Sequence, residues 1–276
     1  MCCFDHWPST HNDTEYRVKN SPGYPHRTFG LTQHTLFFSA LCTHSGRARR
    51  ESMTDNKLSQ IRGAIAAARQ QEQQTHQLEL YLASLAPRLH KAITLPKDQP
   101  AAALLGFVIG YIEHAPDFLE ALDREMKRNN LATYGRVFLD IAEDFFLQPP
   151  EVVHRDGGLR ALIDEAYLTH RLIEEINDRL VMLCGTPLVP MDTTMANIVV
   201  HQLLGEHFAN QLDLAVHYAV EALFQVDQLT GNSQLAQFVA QRTHTDWSRD
   251  PAHWPCLVED SSILLKFAGP EQMTEH

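Results

Sequence analysis

Two long helical segments joined by a short connection dominate what this chain can fold into. Apolar side chains recur every three or four residues from Leu159 to Cys184 and again from Thr193 to Phe224, the spacing that keeps side chains on one face of a helix. Because only residues 185–192 join the two segments, we expect them to pack as antiparallel neighbours. No segment of useful length shows the period of a strand. The sequence therefore predicts an all-α protein built as an antiparallel helical bundle.

Polar residues interrupt the apolar seam of both segments near the middle. In an antiparallel hairpin, facing positions have residue numbers with a constant sum, and this register places His170 opposite Glu206 or His207. It also places Glu165 opposite Asp213. Two unrelated polar interruptions rarely fall at the same height of a core, because an unpaired buried polar group costs about 1 to 3 kcal/mol. The pattern therefore predicts a polar cluster inside the hairpin.

The predicted cluster has the side chains of a metal site. Imidazole and carboxylate groups suit iron or manganese, and such sites are built between facing helices. A glycine inside a helix costs roughly 1 kcal/mol relative to alanine, so Gly205 at this level indicates close packing or room for a bound group. The candidate metal ligands are His170, Glu174, Glu206, Asp213, His207 and Glu72, with His217 nearby, and the candidate cavity residues are Gly205, Tyr167 and Gln202.

A third long helix is predicted from Leu58 to Leu85, where a near-heptad apolar stripe ends before Pro87. Glu72 interrupts this stripe. One interpretation is that the helix brings the Glu72 carboxylate toward the polar cluster. The other is that Glu72 reaches solvent past the edge of the seam, because acidic side chains rarely stay buried without a partner.

Two further helices are predicted in the middle of the chain, after a linker at residues 88–99. The first begins at Pro100, is kinked or restarted by Pro116, and continues to about Asn130. The second covers residues 131–147, and its polar side chains share the face opposite its apolar stripe. We therefore expect these polar residues to be solvated rather than catalytic. They are Arg136, Asp140, Glu143 and Asp144.

Composition narrows the function classes. The formal net charge is −11 and no basic stripe with interleaved aromatic residues occurs, so we expect no nucleic-acid partner. The longest apolar run, Ala101 to Ile112, is too short to span a bilayer, and the N-terminus lacks the pattern of a signal peptide, so we expect no membrane partner. Five cysteines without framework spacing fit a reducing cytosol, which predicts a cytoplasmic protein.

Three regions are predicted along the chain. Residues 1–52 show no sustained period, and two interpretations are open: a disordered tail, or a mis-annotated extension upstream of a true start at Met53. In the second case, the codons of residues 49–52 are compatible with the ribosome-binding site of a bacterial gene. Residues 54–227 form the helical bundle. Residues 228–276 form a partly ordered tail with one short helix from Ser233 to Gln241.

The order of helices resembles that of heme-oxygenase-like proteins, with ferritin-like bundles as the related alternative. The resemblance covers Pro100 to Phe224 and is carried by the run Phe107 to Leu119, by the helix that holds Glu143, and by the two long segments that follow. The one Glu-x-x-His match, Glu151-Val152-Val153-His154, follows two prolines, so it predicts a loop rather than a ferritin-like ligand pair.

This resemblance implies an iron-dependent oxidase or oxygenase. Di-iron oxidases of that superfamily carry a His, an acid and another His on a late core helix. His170 and Glu174 resemble the first two, whereas Asn177 stands where the second His is expected.

Three functions are therefore open on the sequence. The protein is a metal-dependent oxidase or oxygenase acting on a small molecule, or a helical bundle whose polar cluster only fixes helix register, or a bundle that holds an apolar small molecule in a cavity beside Gly205. A homodimer is compatible with the long first helix.

Overall fold

The structure, a computed structural model, describes residues 47–128, 130–149, 157–185, 187–189, 193–224 and 262–266. Of these residues 81% are helical, which confirms the all-α prediction. The predicted helix Ser233 to Gln241 and the Glu151 to His154 match lie outside the described residues. The elements are α1 Arg47–Thr75, α2 Gln77–Leu85, a 3-10 turn Ala86–Arg88, β1 Ile93–Thr94, α3 Pro100–Arg128, α4 Ala132–Leu147, α5 Gly158–Cys184, α6 Thr194–Leu204, α7 Glu206–Leu223 and β2 Leu264–Leu265.

The first predicted helix is two helices in the structure. It begins at Arg47, so residues 47–52 are helical and the prediction that they lack regular structure is wrong. It breaks at His76, whose φ of 51° is left-handed. The cause is Glu72, whose carboxylate accepts hydrogen bonds from the backbone N–H groups of Leu78 at 2.9 Å and Glu79 at 3.0 Å. Glu72 is buried and caps α2, so neither interpretation of Glu72 from the sequence is correct.

Helix α3 lies in the core of the bundle. It continues through Pro116, which is buried inside the helix. Among the described residues α3 is long and apolar enough to cross a membrane by length and composition, and half of its most apolar 18-residue window is buried in the protein. A position inside the bundle is therefore one sufficient reason for its apolar composition.

The connection between α5 and α6 is held by one buried amide. Asn177 accepts hydrogen bonds from the backbone N–H groups of Leu188 at 2.9 Å and Val189 at 3.2 Å, and its amide N–H donates to the Val189 carbonyl. These bonds satisfy both ends of the Asn177 side chain, and they bring α6 back along α5.

Helix α6 runs antiparallel to α5, as the sequence predicts. The side chain of Asn197, near the start of α6, contacts Glu174. The ring of His201 lies 6.4 Å from the ring of Tyr167, which is about two turns earlier on α5. Residue numbers therefore increase along α6 in the direction in which they decrease along α5.

Helix α7 runs the opposite way, so the prediction of one continuous helix from Thr193 to Phe224 is wrong. Asp213 contacts Arg171, and Glu221 contacts Arg179. Residue numbers therefore increase in the same direction along α7 and α5, so the two helices are parallel. The reversal occurs at Gly205, whose φ of 85° and ψ of 137° are incompatible with a helix. The glycine that the sequence placed inside a helix instead separates two helices.

The last described segment pairs with the linker before α3. Strand β2 lies antiparallel to β1, with Ile93 opposite Leu265, and the backbone N–H of Lys266 donates to the Ala92 carbonyl over 2.8 Å. Ile263 beside this two-stranded ribbon is buried. The residues predicted to be a linker thus hold one end of the C-terminal segment.

Candidate functional site

The polar interior of the bundle is organised around one guanidinium group. Arg171, on α5, donates from Nε to Oδ1 of Asp213 on α7 over 3.0 Å and from Nη1 to Oε2 of Glu174 one turn along α5. Arg171 was not among the residues singled out from the sequence. Burial lowers its pKa, but the carboxylates of Glu174 and Asp213 outweigh this effect and the pKa is raised well above its usual value. Arg171 therefore stays charged and acts as counter-ion to two acids on different helices.

The other contacts of Glu174 extend the network to α6 and α3. Its carboxylate accepts from the amide of Asn197 at 2.6 Å and from the hydroxyl of Thr194 at 2.8 Å. Asn197 in turn accepts at 2.6 Å from the hydroxyl of Tyr111, which is fully buried. Four helices are therefore tied together by hydrogen bonds inside the protein.

The network reaches the surface at the turn between α6 and α7. The Tyr167 hydroxyl donates to Asp213 over 3.0 Å, and burial together with this carboxylate raises the Tyr167 pKa well above its usual value. His201 lies 3.9 Å from the second oxygen of Asp213 and within 3.2 Å of the Asn210 side-chain oxygen. Tyr167, predicted to line a cavity, is thus a hydrogen-bond donor in this network.

His170 is buried on a different face of α5, toward α3. Its Nε2 donates to the backbone carbonyl of Tyr111 over 2.9 Å, while its ring packs 4.3 Å from the Tyr111 ring and 5.2 Å from that of Phe118. Burial, with a smaller contribution from nearby His114, lowers the pKa of His170 to about 4 although the hydrogen bond to the Tyr111 carbonyl raises it. The ring is therefore neutral. Its Nδ1, like that of His114, has no hydrogen-bond partner among the described residues.

The structure does not bring the predicted cluster together. Glu174 and Asp213 share Arg171. His170 does not face Glu206 or His207 as the hairpin register predicted, because the chain reverses at Gly205 and His170 contacts α3. The remaining candidates are on the surface. Gln202, Gly205, Glu206, His207 and His217 are all exposed.

The same side chains are the ones that would have to hold iron or manganese. A metal site needs carboxylate and imidazole lone pairs that converge, but the oxygens of Glu174 and Asp213 accept from Arg171 and its neighbours, and His170 directs its N–H toward α3. In the described part of the chain no group of three or more His, Cys, Asp or Glu residues is placed to hold a metal ion. Within the described residues these side chains therefore do not assemble a three-ligand site for iron or manganese.

A second charged cluster lies between α1 and α4, where the sequence predicted only solvated acids. Glu143 is fully buried, which corrects that prediction, and its Oε2 lies 2.9 Å from Arg136 and 3.3 Å from Lys57. Burial raises the Glu143 pKa to about 6 although both cations lower it. Its Oε1 has no partner among the described residues. Asp140 and Asp144, which are half-buried, pair with the same two cations nearer the surface. Helix α1 packs against α4 and brings Lys57 to Glu143, and a single-helix pattern cannot show this.

Glu165 is a further acid in an unusual environment. Burial raises its pKa to about 8, and the charge of neighbouring Asp164 contributes in the same direction. Glu165 was predicted to face Asp213, but Asp213 lies beside Tyr167 and Arg171 instead.

A groove of about 450 Å³ lies between α2, the linker and the start of α3, away from the polar network. The described side chains that line it are apolar apart from one lysine. They belong to Ala83, Ala86, Pro87, Ile93, Leu95, Pro96, Lys97, Pro100 and Ala101. The only sequence signal was the concentration of prolines and aliphatic residues in a segment read as a linker.

No family model, curated protein or solved structure matches this chain. The heme-oxygenase-like resemblance therefore stays a prediction from helix order.

Proposed function

We propose that this protein is a binding protein and that it holds a small, largely apolar molecule in the groove beside α3. The supporting observation is the groove itself. Its volume of about 450 Å³ falls within the roughly 300 to 1,000 Å³ typical of small-molecule sites, and eight of its nine lining residues are apolar. Ile93 gives it a buried floor.

The polar network around Arg171 supports the same conclusion, because its carboxylates are already occupied. The carboxylates of Glu174 and Asp213 already accept hydrogen bonds from Arg171, so a ligand would have to break charge-assisted bonds to reach them. The groove requires no such exchange. The network is therefore best explained as the structure that fixes the order of α3, α5, α6 and α7.

A titration with a neutral, environment-sensitive dye such as Nile red tests this proposal. Ala101 lines the groove and Ala102 next to it is exposed, so the pair provides a matched test. Ala101→Phe should fill the groove and weaken dye binding by about ten-fold, equivalent to about 1.4 kcal/mol. Ala102→Phe adds the same ring without filling the groove and should leave binding within about two-fold. Equal effects of the two substitutions would contradict the proposal.

A metal-dependent oxidase is the second candidate. The observation that favours it is the buried Nδ1 of His170, an imidazole nitrogen with no partner among the described residues. Elemental analysis of protein purified after growth with added iron and manganese tests it. Stoichiometric metal that is lost in His170→Gln would support the oxidase, and protein without stoichiometric metal would argue against it.

A further inference from the structure

The charge in the groove is carried by one side chain. Lys97 is the only charged residue among the described residues that line it, and none of those described residues is Asp or Glu. Asp98 follows Lys97 in the chain but does not line the groove. The protein as a whole is acidic, with a net charge of −11. The described lining of the groove therefore carries a positive charge on a protein whose net charge is negative.

The ammonium group of Lys97 forms no ion pair within the described part of the chain, although ion pairs are common across the rest of the bundle. Lys57, Arg62, Arg69, Arg136, Arg171 and Arg179 each pair with at least one carboxylate. A lysine can lay its aliphatic stem along an apolar wall while its ammonium stays in water at the rim. Lys97 is exposed and is placed to do so.

We infer that the ligand is an amphipathic monoanion, with an apolar chain in the groove and a carboxylate at Lys97. This inference rests on the proposed binding function. The apolar walls favour the chain, because burial of apolar surface stabilises by about 25 cal/mol per Å². The Lys97 ammonium attracts a negative charge on the ligand and repels a positive one. Because the described lining residues include no second cation, a ligand with one anionic group fits better than one with two.

The exposure of Lys97 also limits how strongly the groove can prefer an anionic ligand over a neutral one. Lys97 is at the rim and exposed, where a single ion pair contributes at most about 1 kcal/mol and is screened by salt. We therefore expect decanoate to bind about three-fold more tightly than decanol of the same chain length at low salt. Decylammonium should bind more weakly than either.

Displacement of Nile red by decanoate, decanol and decylammonium, each below its micelle concentration, tests the inference. Lys97→Met keeps an apolar stem without the charge, so it should remove the preference for decanoate and leave decanol unchanged. Lys91→Met is the control, since Lys91 is an exposed lysine of the same connection that does not line the groove. It should retain the preference. Added sodium chloride should reduce the preference in the wild type.

The outcomes separate the two proposals. Equal binding of decanoate and decanol by the wild type overturns the ligand class and leaves the binding function standing. A preference for decanoate that survives in Lys97→Met overturns the assignment of the anion to Lys97. A wild-type protein that binds neither the dye nor any decyl compound overturns both proposals.

Discussion

Arg171 and Asp213 lie 3.0 Å apart although 42 positions separate them along the chain. Their bond joins α5 to α7, which run in the same direction, and the same guanidinium also binds Glu174. A cation between two acids removes the repulsion that would otherwise separate the helices. The pair therefore fixes the position of α7 after the reversal at Gly205.

Replacing Arg171 should destabilise the protein more than replacing an exposed arginine with similar contacts. Arg171→Met leaves two half-buried carboxylates without their counter-ion, and we expect a loss of about 2 kcal/mol in the free energy of unfolding, measured by urea denaturation. Arg62 also binds two carboxylates, Asp117 and Glu120, but its side chain is 44% exposed. Arg62→Met should cost less than about 1 kcal/mol. Equal losses would show that Arg171 has no special role in the interior.

Two glycine substitutions should change the free energy of unfolding in opposite directions. Gly205 has a φ of 85°, a backbone conformation that side chains rarely adopt, so Gly205→Ala should lower the free energy of unfolding by about 1 to 3 kcal/mol. Gly63 is exposed within α1 and an added Cβ meets no atom within 4 Å. Gly63→Ala should therefore stabilise the protein by up to about 1 kcal/mol, because alanine is the better helix former. Thermal unfolding of the two variants decides this, and stabilisation by Gly205→Ala would mean that α6 and α7 are one helix.

The Glu72 cap can be removed without touching the apolar core. Glu72→Ala deprives the N–H groups of Leu78 and Glu79 of their acceptor, and we expect a loss of about 1 to 2 kcal/mol in urea denaturation. Gln73 is exposed on the same helix, so Gln73→Ala is the control and should be nearly neutral. If Glu72→Ala proved as harmless as the control, the capping role would have to be abandoned.

His170 should contribute to destabilisation in acid. Its pKa is about 4 in the folded protein and about 6.5 in the unfolded chain, so between these values the unfolded chain binds more protons. The stability that the neutral, buried His170 contributes is present above about pH 6.5 and is lost as the pH falls toward 4. Glu143 acts in the opposite direction, because its raised pKa of about 6 favours proton uptake by the folded state between about 4.5 and 6.

A comparison of variants isolates the contribution of His170. The wild type should lose about 2 to 3 kcal/mol more than His170→Gln between about pH 7 and about pH 4.5, measured by urea denaturation at each pH. His207 is exposed, so His207→Gln should follow the wild type. An identical pH dependence of His170→Gln and the wild type would indicate that His170 is not buried as described.

Local patterns were sufficient to place most helices. The repeat of apolar residues predicted α3, α4 and α5 to within a few residues, because each buries one face and exposes the other. The apolar repeat could not show the break at His76. That break depends on the Glu72 carboxylate, which accepts hydrogen bonds from backbone N–H groups at the start of α2. Nor could the repeat show that Lys57 of α1 lies beside the buried Glu143, since the pattern of one helix contains no information about which neighbour packs against its polar side.

The candidate site shows the same limit. The sequence drew attention to Glu174 and Asp213, which do meet through a common partner, and to His170, which is buried. It missed Arg171, because an arginine beside acids on a helix is an ordinary surface pattern. It also missed the groove, whose walls come from two helices and the linker between them.

The sequence by itself determined that this protein is helical and where most helices lie, because burial of one apolar face is a property of each segment alone. The tertiary structure decided which way each helix runs and which polar groups meet. Gly205 is the clearest case. A glycine within an apolar repeat is compatible with both a continuous helix and a reversal, and the packing of α7 parallel to α5 selects the reversal through contacts that form only after the segments come together.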